Sequence, residues 1–304
     1  MPIPTFPIPP RAAPLVGPGS QPADDAELDF MPMPRAMHTF EMPRVPERVD
    51  PAALARVGEL LGGLVAALDS ALDGALDGAL DGAAADQARP RLELTGLAPA
   101  VVELLNQVLG EGEVAIRIDA TPALRIQETV FAGLWRCCEL DAEGGLARDW
   151  LEAGDIPPVV RAAALAAAEP ALPALEPQTG AMNSPALLAE IGAGLPPEPP
   201  GRQINLTLLP MTPEDHAALE RALPVGPVAM ISRGFGNCHI TSTRTRDVWR
   251  VQYFNTMKTL ILNTIELVAM PEVALASAED LADTRTRLAE LVQWLAEAAA
   301  ESAP

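Results

Sequence analysis

The sequence contains few cysteines and histidines, three of each among 304 residues. Three is an odd number, and Cys137 and Cys138 are neighbours that can rarely bridge, which excludes a disulfide framework and predicts a reducing compartment. No pair of cysteines or histidines has the spacing of zinc ligands, so we expect no structural metal site.

Motifs of common active sites are missing as well. The chain has no G-x-S-x-G, no P-loop lysine and no dinucleotide fingerprint that follows a strand. This pattern argues against a hydrolase, a kinase or a dehydrogenase. We predict a protein that is not an enzyme and that uses no cofactor.

Targeting and membrane segments are also scarce. The N-terminus has several prolines but neither a basic region nor a continuous apolar region, so it does not resemble a secretory signal. The longest apolar stretch, residues 260–270, is interrupted by Asn263, Thr264 and Glu266 and is too short to cross a bilayer. We expect a cytoplasmic protein without direct membrane insertion.

Positive charge is in short supply, because the net charge is −20. A general nucleic-acid partner is therefore not expected, since phosphates require clustered Lys and Arg. The charge is uneven: residues 91–160 carry 5 Arg against 12 acidic residues. Residues 232–260 instead carry a net charge of +4, with Asp247 opposing Arg233, Arg244, Arg246, Arg250 and Lys258.

What the sequence does have is an internal repeat. Residues 205–274 align with residues 91–160 at a constant offset of 114, with 16 identities in 70 positions. The identities include the pair Trp135-Arg136, matched by Trp249-Arg250, and Pro157, matched by Pro271. Such a constant offset predicts one module that was duplicated in tandem.

The ends and linkers are rich in proline. We predict that residues 1–49 form a disordered tail and that residues 166–200 form a linker with a short helix at 182–195. Within the tail, residues 31–47 are a possible docking segment, on this protein or on a partner, because they space methionines and Phe40 with prolines.

The rest of the chain is divided between the two repeats. The first repeat spans residues 50–165, opens with a helix after Asp50 and contains a low-complexity insert at 66–86, which we do not read as a calcium loop. The second spans residues 201–304 and ends with an amphipathic helix at 278–300.

Each repeat shows the same predicted order, β-α-β-β-β-α. The helix of the second repeat should begin at Thr212-Pro213-Glu214-Asp215, and a hairpin should turn at Asp247. Closing helices are predicted at 145–156 and 257–270, ended by Pro157 and Pro271. We predict an α+β fold of two homologous units with antiparallel sheets and helices on one face.

The segment Ser232 to Ile240 differs from its counterpart in the first repeat, residues 118–126, which contains no glycine, cysteine or histidine. Gly234 and Gly236 permit a close backbone approach and flank Phe235. One interpretation is a loop that meets a partner, with Cys238 near an iron-sulfur cluster. The other is a tight turn in which Cys238 is a small buried residue and His239 faces solvent, and we favour the turn.

Strand alternation separates core from contact residues in the second repeat. Trp249 should lie on the face opposite Arg250. Trp249 and Trp135 are predicted core residues because the same side chain stands at the matching position of both repeats. Arg244, Arg246 and Arg250 would offer positive charge to an acidic partner if their strand face is exposed.

Several segments resemble one known family. They are PMPRAMHTF, LLNQVLGEGEV and IQETVFAGLWR, followed by NSPALLAEI, GFGNCHI, VWRVQYFN, ILNTIEL and PEVALASAEDLADTRTRLAEL. In this order they are similar to the hydrogenase expression/formation protein HupH family, also called HyaF or HoxQ.

The resemblance implies an accessory chaperone or scaffold for maturing a membrane-bound uptake [NiFe]-hydrogenase. The implied partner is the precursor of the iron-sulfur small subunit, bound before twin-arginine export, with another hydrogenase accessory protein as a further candidate. The family pattern falls on Gly234, Gly236, Asn237, Cys238, Trp249, Tyr253, Phe254 and Asn255, without a catalytic role.

We combine both lines of reasoning into one set of partner-binding residues. The predicted set is Arg233, Gly234, Phe235, Gly236, Asn237, Cys238, His239, Arg244, Arg246, Arg250, Tyr253 and Asn255. Two alternatives stay open at this point. One is an iron-sulfur or metal carrier that uses Cys238 with Cys137 or Cys138, and the other is a redox-responsive thiol protein, which requires an accessible Cys238 with a lowered pKa.

Overall fold

A computed structural model describes residues 50–76, 89–174, 179–234 and 236–301. The predicted tail at 1–49, with its docking segment 31–47, lies outside the described residues. So do Phe235 and residues 77–88, which include residues 77–86 of the low-complexity insert.

Ten strands and six α-helices lie within the described residues. The helices are α1 (Pro51–Leu76), α2 (Pro99–Leu109), α3 (Pro158–Ala166), α4 (Ser184–Ala193), α5 (Pro213–Ala222) and α6 (Ala278–Glu301). The strands of the first half are β1 (Arg91–Glu93), β2 (Val114–Ile118), β3 (Ala123–Glu128), β4 (Leu134–Leu140) and β5 (Leu146–Ala153). Those of the second half are β6 (Arg202–Asn205), β7 (Val225–Ser232), β8 (Asn237–Thr243), β9 (Val248–Phe254) and β10 (Leu260–Leu267). Short 3-10 helices cover Leu206–Leu208 and Glu272–Ala274.

All ten strands form one antiparallel sheet with the order β1-β5-β4-β3-β2-β7-β8-β9-β10-β6. The second half reverses the strand order of the first, and the halves join through β2 and β7. At this junction Ile116 pairs with Met230, two residues that are 114 positions apart. The bounds of β4 and β9, and those of β5 and β10, also differ by 114. We call residues with this separation equivalent.

Several local predictions are confirmed. Helix α5 begins with a capping box in which the Thr212 side chain accepts from the Asp215 backbone N–H and Asp215 accepts from that of Thr212. The predicted helices after Asp50, at 182–195 and at 278–300 correspond to α1, α4 and α6. Asp247 turns the β8–β9 hairpin with a φ of 57°.

The prediction of closing helices at 145–156 and 257–270 is wrong. These residues form β5 and β10, so each half has five strands. Strand β5 lies between β1 and β4, and residues 149–153 are all buried. A strand covered on both faces loses its alternation of polar and apolar residues, so its sequence resembles that of a buried helix.

The prediction of helices on one face is also wrong. Helices α1, α2 and α6 cover the first half of one face and α4 and α5 cover its second half, and we call this the helix-rich face. On the opposite face, α3 and the 3-10 helix at 272–274 pack over the sheet centre, where Trp135 and Trp249 are buried as predicted. Pro157 and Pro271 begin these two helices instead of ending earlier ones, because proline suits a helix start.

Helix α1 is long and apolar enough to span a membrane by composition alone. In the fold, however, its buried residues, such as Leu61, pack with Leu288 and Leu295 of α6 over the first half. The Thr284 hydroxyl of α6 also donates to the Ala132 carbonyl at 2.7 Å. Both helices are therefore core helices that cover the first half of the sheet.

Candidate protein-binding surface

Two turns and the 3-10 helix at 206–208 meet at one end of the second half. The turns connect β7 to β8 (residues 233–236) and β9 to β10 (residues 255–259), and with Ile261 we call this region the second-half corner. The first turn packs closely on β2: Arg233 N–H donates to the Glu113 carbonyl at 3.2 Å. A Cβ atom at Gly234 would lie 2.0 Å from a Glu113 carboxylate oxygen, so a larger residue here would require the flexible Glu113 side chain to move.

The second turn is held by Asn255. Its backbone N–H donates to the Thr259 carbonyl at 2.9 Å, and its side-chain oxygen accepts from the Thr259 N–H at 2.8 Å. Lys258 takes a positive φ of 63°. These bonds fix the hairpin tip and leave Met257 pointing away from the sheet core, 83% exposed.

The corner carries three exposed apolar side chains, Leu208, Met257 and Ile261. The Thr207 hydroxyl accepts from the Asn263 N–H at 2.8 Å, which ties the 3-10 helix to β10 near Ile261. Sequence reasoning missed all three residues, because two of them fell in the predicted helix at 257–270. Exposed apolar side chains that gather at one place are typical of protein-binding sites.

At the position equivalent to Leu208 the first half is closed. Leu208 is 78% exposed, whereas its equivalent Leu94 is 3% exposed and packs in the core with α1. Strand β6 ends at Asn205 and a single 3-10 turn redirects the chain, so Leu208 leaves the sheet. No helix among the described residues covers Leu208 as α1 covers Leu94.

The predicted partner-binding residues do not form a single cluster. Arg233, Gly234, Gly236, Asn237, Tyr253 and Asn255 lie at or beside the second-half corner, with Arg233, Gly234 and Gly236 exposed. Arg244 and Arg246 are exposed at the other end of the strands, at the β8–β9 turn. Cys238, His239 and Arg250 are buried or half-buried within the sheet layers.

The expectation of an exposed Arg250 is wrong. Arg250 is only 5% exposed, because its side chain lies on the helix-rich face near α5. His239 is half-buried, with its ring centroid 4.6 Å from that of Phe254, so it does not simply face solvent.

All three cysteines are buried. Burial raises the pKa of the Cys238 thiol to about 12, which is the opposite of what a redox-responsive thiol requires. Cys137 and Cys138 point to opposite faces of β4, and β8 lies four strand positions away. With strands about 4.8 Å apart, Cys238 lies roughly 19 Å from either residue, too far to share one iron-sulfur cluster in this fold.

Comparisons with known proteins give the family. A sequence model described as "HupH hydrogenase expression protein, C-terminal conserved region" matches residues 74–173 and 181–295. The hydrogenase expression/formation protein HoxQ of Cupriavidus necator is 42% identical over 295 residues, which cover 96% of this chain and 98% of that protein.

Two further relatives belong to the same group. The hydrogenase-1 operon protein HyaF of Escherichia coli is 34% identical and covers 94% of this chain and 97% of its own. A solved structure of the hydrogenase expression protein HupH from Thiobacillus denitrificans is 28% identical, with a TM-score of 0.34, over 38% of this chain and 96% of its own. The chain therefore belongs to the HupH family of hydrogenase expression/formation proteins.

Proposed function

We propose that this protein is a cytoplasmic chaperone in the maturation of a membrane-bound uptake [NiFe]-hydrogenase. It binds the precursor of the iron-sulfur small subunit before twin-arginine export and catalyses no reaction itself. The names of its relatives refer to hydrogenase expression and formation, which supports a role in hydrogenase maturation.

The observation that carries the binding role is the second-half corner. Leu208, Met257 and Ile261 are exposed beside two turns that hydrogen bonds and close packing hold in place. A preformed apolar surface can bind a client without the entropy cost of ordering it. The predicted residues Arg233, Gly234, Gly236, Asn237, Tyr253 and Asn255 border this surface.

We also infer that the two halves descend from one duplicated module. The equivalent bounds of β4 and β9 and the pairing of Ile116 with Met230 support this inference. The family match in two stretches, one in each half, is consistent with it. On this view the second copy took on client binding, because Leu208 is exposed there whereas its equivalent Leu94 is covered by α1.

The corner can be tested with a double variant, Leu208→Asp with Met257→Asp. We expect the affinity for purified small-subunit precursor to fall at least about tenfold in a calorimetric titration, since burying a carboxylate opposes docking. Leu165→Asp is the control, because Leu165 is 51% exposed on α3, which packs on the opposite face of the sheet, and this variant should bind as the unchanged protein does.

Two outcomes would contradict the proposal. Equal affinity of the double variant and the control would show that the client does not bind at the second-half corner. No enrichment of the precursor by the unchanged protein, relative to an unrelated twin-arginine substrate, would remove the chaperone role itself. Deletion of residues 31–47 tests the predicted docking segment separately, by a loss of affinity with the corner intact.

A further inference from the structure

A buried ion pair occupies the helix-rich face of the first half. Arg136 Nε donates to Asp149 Oδ1 at 3.0 Å, and Arg136 Nη2 donates to Oδ2 at 2.6 Å. Cys138 Sγ lies 3.7 Å from the same carboxylate, and Asn106 of α2 accepts from Arg136. Every group in this cluster therefore has a partner, and the guanidinium is paired bidentately.

The second half keeps the arginine but loses the carboxylate. Arg250 is equivalent to Arg136, whereas Asn263 stands where Asp149 stands in the first half. Arg250 and Asn263 are 5% and 4% exposed. Arg250 forms no ion pair with any described residue, and its Nε and the Asn263 Oδ1 are buried without hydrogen-bond partners.

The two arginines respond oppositely to their surroundings. Burial lowers the pKa of each guanidinium, but at Arg136 the bonds and charge of Asp149 outweigh burial and the pKa is raised. At Arg250 burial prevails and the pKa is lowered, although the negative charge of the exposed Glu220 on α5 partly offsets this lowering. Arginine stays charged in either case, so Arg250 is a buried cation without a counter-ion in contact.

Further polar atoms without partners surround Arg250. Gln252 lies two residues along β9 on the same face, with Nε2 buried and unpaired. Gln252 pairs across the sheet with both His239 and Asn263, and His239 Nδ1 is buried and unpaired as well. Side chains at such paired positions lie close enough to contact one ligand.

We propose that the second half binds a carboxylate from another polypeptide at Arg250, beside Asn263, which occupies the position of Asp149 without its charge. The occupant is an acidic side chain of the client, which accepts hydrogen bonds from Arg250 and Gln252. This inference rests on the proposed client-binding function for the source of the carboxylate. The site itself rests on the unpaired groups alone.

The site is within reach of a client on the second-half corner. Asn263 lies two residues along β10 from the exposed Ile261, a distance of roughly 7 Å. A client segment that continues from Ile261 along β10 for two residues brings an acidic side chain to this position. Glu220 is the nearest competing carboxylate, so Glu220→Gln should strengthen carboxylate binding at Arg250. An unchanged affinity would show that Glu220 does not compete for this site.

The first test is an NMR titration of the full chain, with isotope-labelled arginine, in which sodium acetate is the probe. We expect acetate, but not chloride at equal ionic strength, to shift the Nε–H signal of Arg250, which the variant Arg250→Gln identifies. Asn263→Asp supplies an internal carboxylate and should abolish the acetate shift, while Asn263→Ala should retain it. Equal shifts with acetate and chloride, or an acetate response in Asn263→Asp, would overturn the proposal.

The second test measures the affinity for the small-subunit precursor. Asn263→Asp should weaken binding at least about tenfold, and Asn263→Ala less than about threefold, because only the former fills the site with charge. If Asn263→Asp binds as the unchanged protein does, the client carboxylate is refuted while the proposed function stands. An acetate shift without an effect on precursor affinity would likewise refute it and assign the site to free carboxylates. If the unchanged protein binds no precursor, the proposed function fails. The acetate titration then tests separately whether Arg250 binds a carboxylate.

Discussion

The two halves of the sheet share their strand order and register but differ in how they are completed. In the first half, α1 and α6 cover Leu94, and Asp149 pairs with Arg136. In the second half the equivalent Leu208 is exposed and Arg250 is unpaired. The first half thus covers its apolar residue and pairs its buried arginine within the chain, whereas among the described residues the second half does neither.

The largest contrast should appear when each arginine is replaced by methionine. Arg136→Met leaves Asp149 buried without its partner and should lower the free energy of unfolding by about 3–5 kcal/mol. Arg250→Met removes a buried cation that has no contacting counter-ion, so it should cost less than about 1 kcal/mol or even stabilise the fold. Urea denaturation of both variants measures the difference.

Equal costs at the two positions would contradict the comparison between the halves. They would mean that Arg250 has a partner in solution, and a repeat in the Glu220→Gln background would identify it. If Glu220 is that partner, the cost of Arg250→Met should then disappear.

The next contrast is in the response to pH. Burial raises the pKa of Glu128 to about 7, helped by Glu113 and Asp280 and opposed by the bond from the Gly133 N–H. Its equivalent Ser242 does not titrate in this range. Since the folded protein binds this proton more tightly than the unfolded chain, the contribution of Glu128 to stability is greatest below pH 4.5 and falls as pH rises towards 7, by about 3 kcal/mol in total.

The variant Glu128→Gln should remove this decline. Its free energy of unfolding should match that of the unchanged protein near pH 4 and exceed it at pH 8, because glutamine can accept the Gly133 bond without a charge. Chemical denaturation at a series of pH values tests this. An unchanged slope between pH 4.5 and 7 would show that another group titrates.

The smallest contrast lies at the helix starts. Thr212 caps α5 with its side chain, whereas the equivalent Ala98 offers α2 no side-chain bond. Thr212→Ala should lower the free energy of unfolding by about 1 kcal/mol, and Ala98→Ser should raise it by up to about the same amount. Thermal melting of both variants compares them, and a loss on Ala98→Ser would show that α2 starts differently.

Local sequence signals predicted much of this fold. The cap at Thr212, the turn at Asp247 and the alternation of Trp249 and Arg250 each depend on residues close together in the chain. Local chemistry sets such features, so they can be read without the rest of the protein. The family motifs likewise led to the family that the comparisons show.

The errors have a common cause in burial by distant segments. Strands β5 and β10 were predicted as helices because each lies between two strands, with residues covered on both faces. Alternation placed Arg250 on the correct side of β9 but did not indicate that this side is buried. The exposure of Met257 and Leu208 was missed for the same reason.

The sequence by itself determined the 114-residue correspondence between the halves, the helix start at Thr212, the turn at Asp247 and the family. These features follow from patterns repeated every 114 residues and from local capping chemistry. Only the tertiary structure decided which of two equivalent residues is covered. The covering helices α1 and α6 lie outside the repeated segment and pack on the first half alone, so identical residues such as Leu94 and Leu208 meet different surroundings.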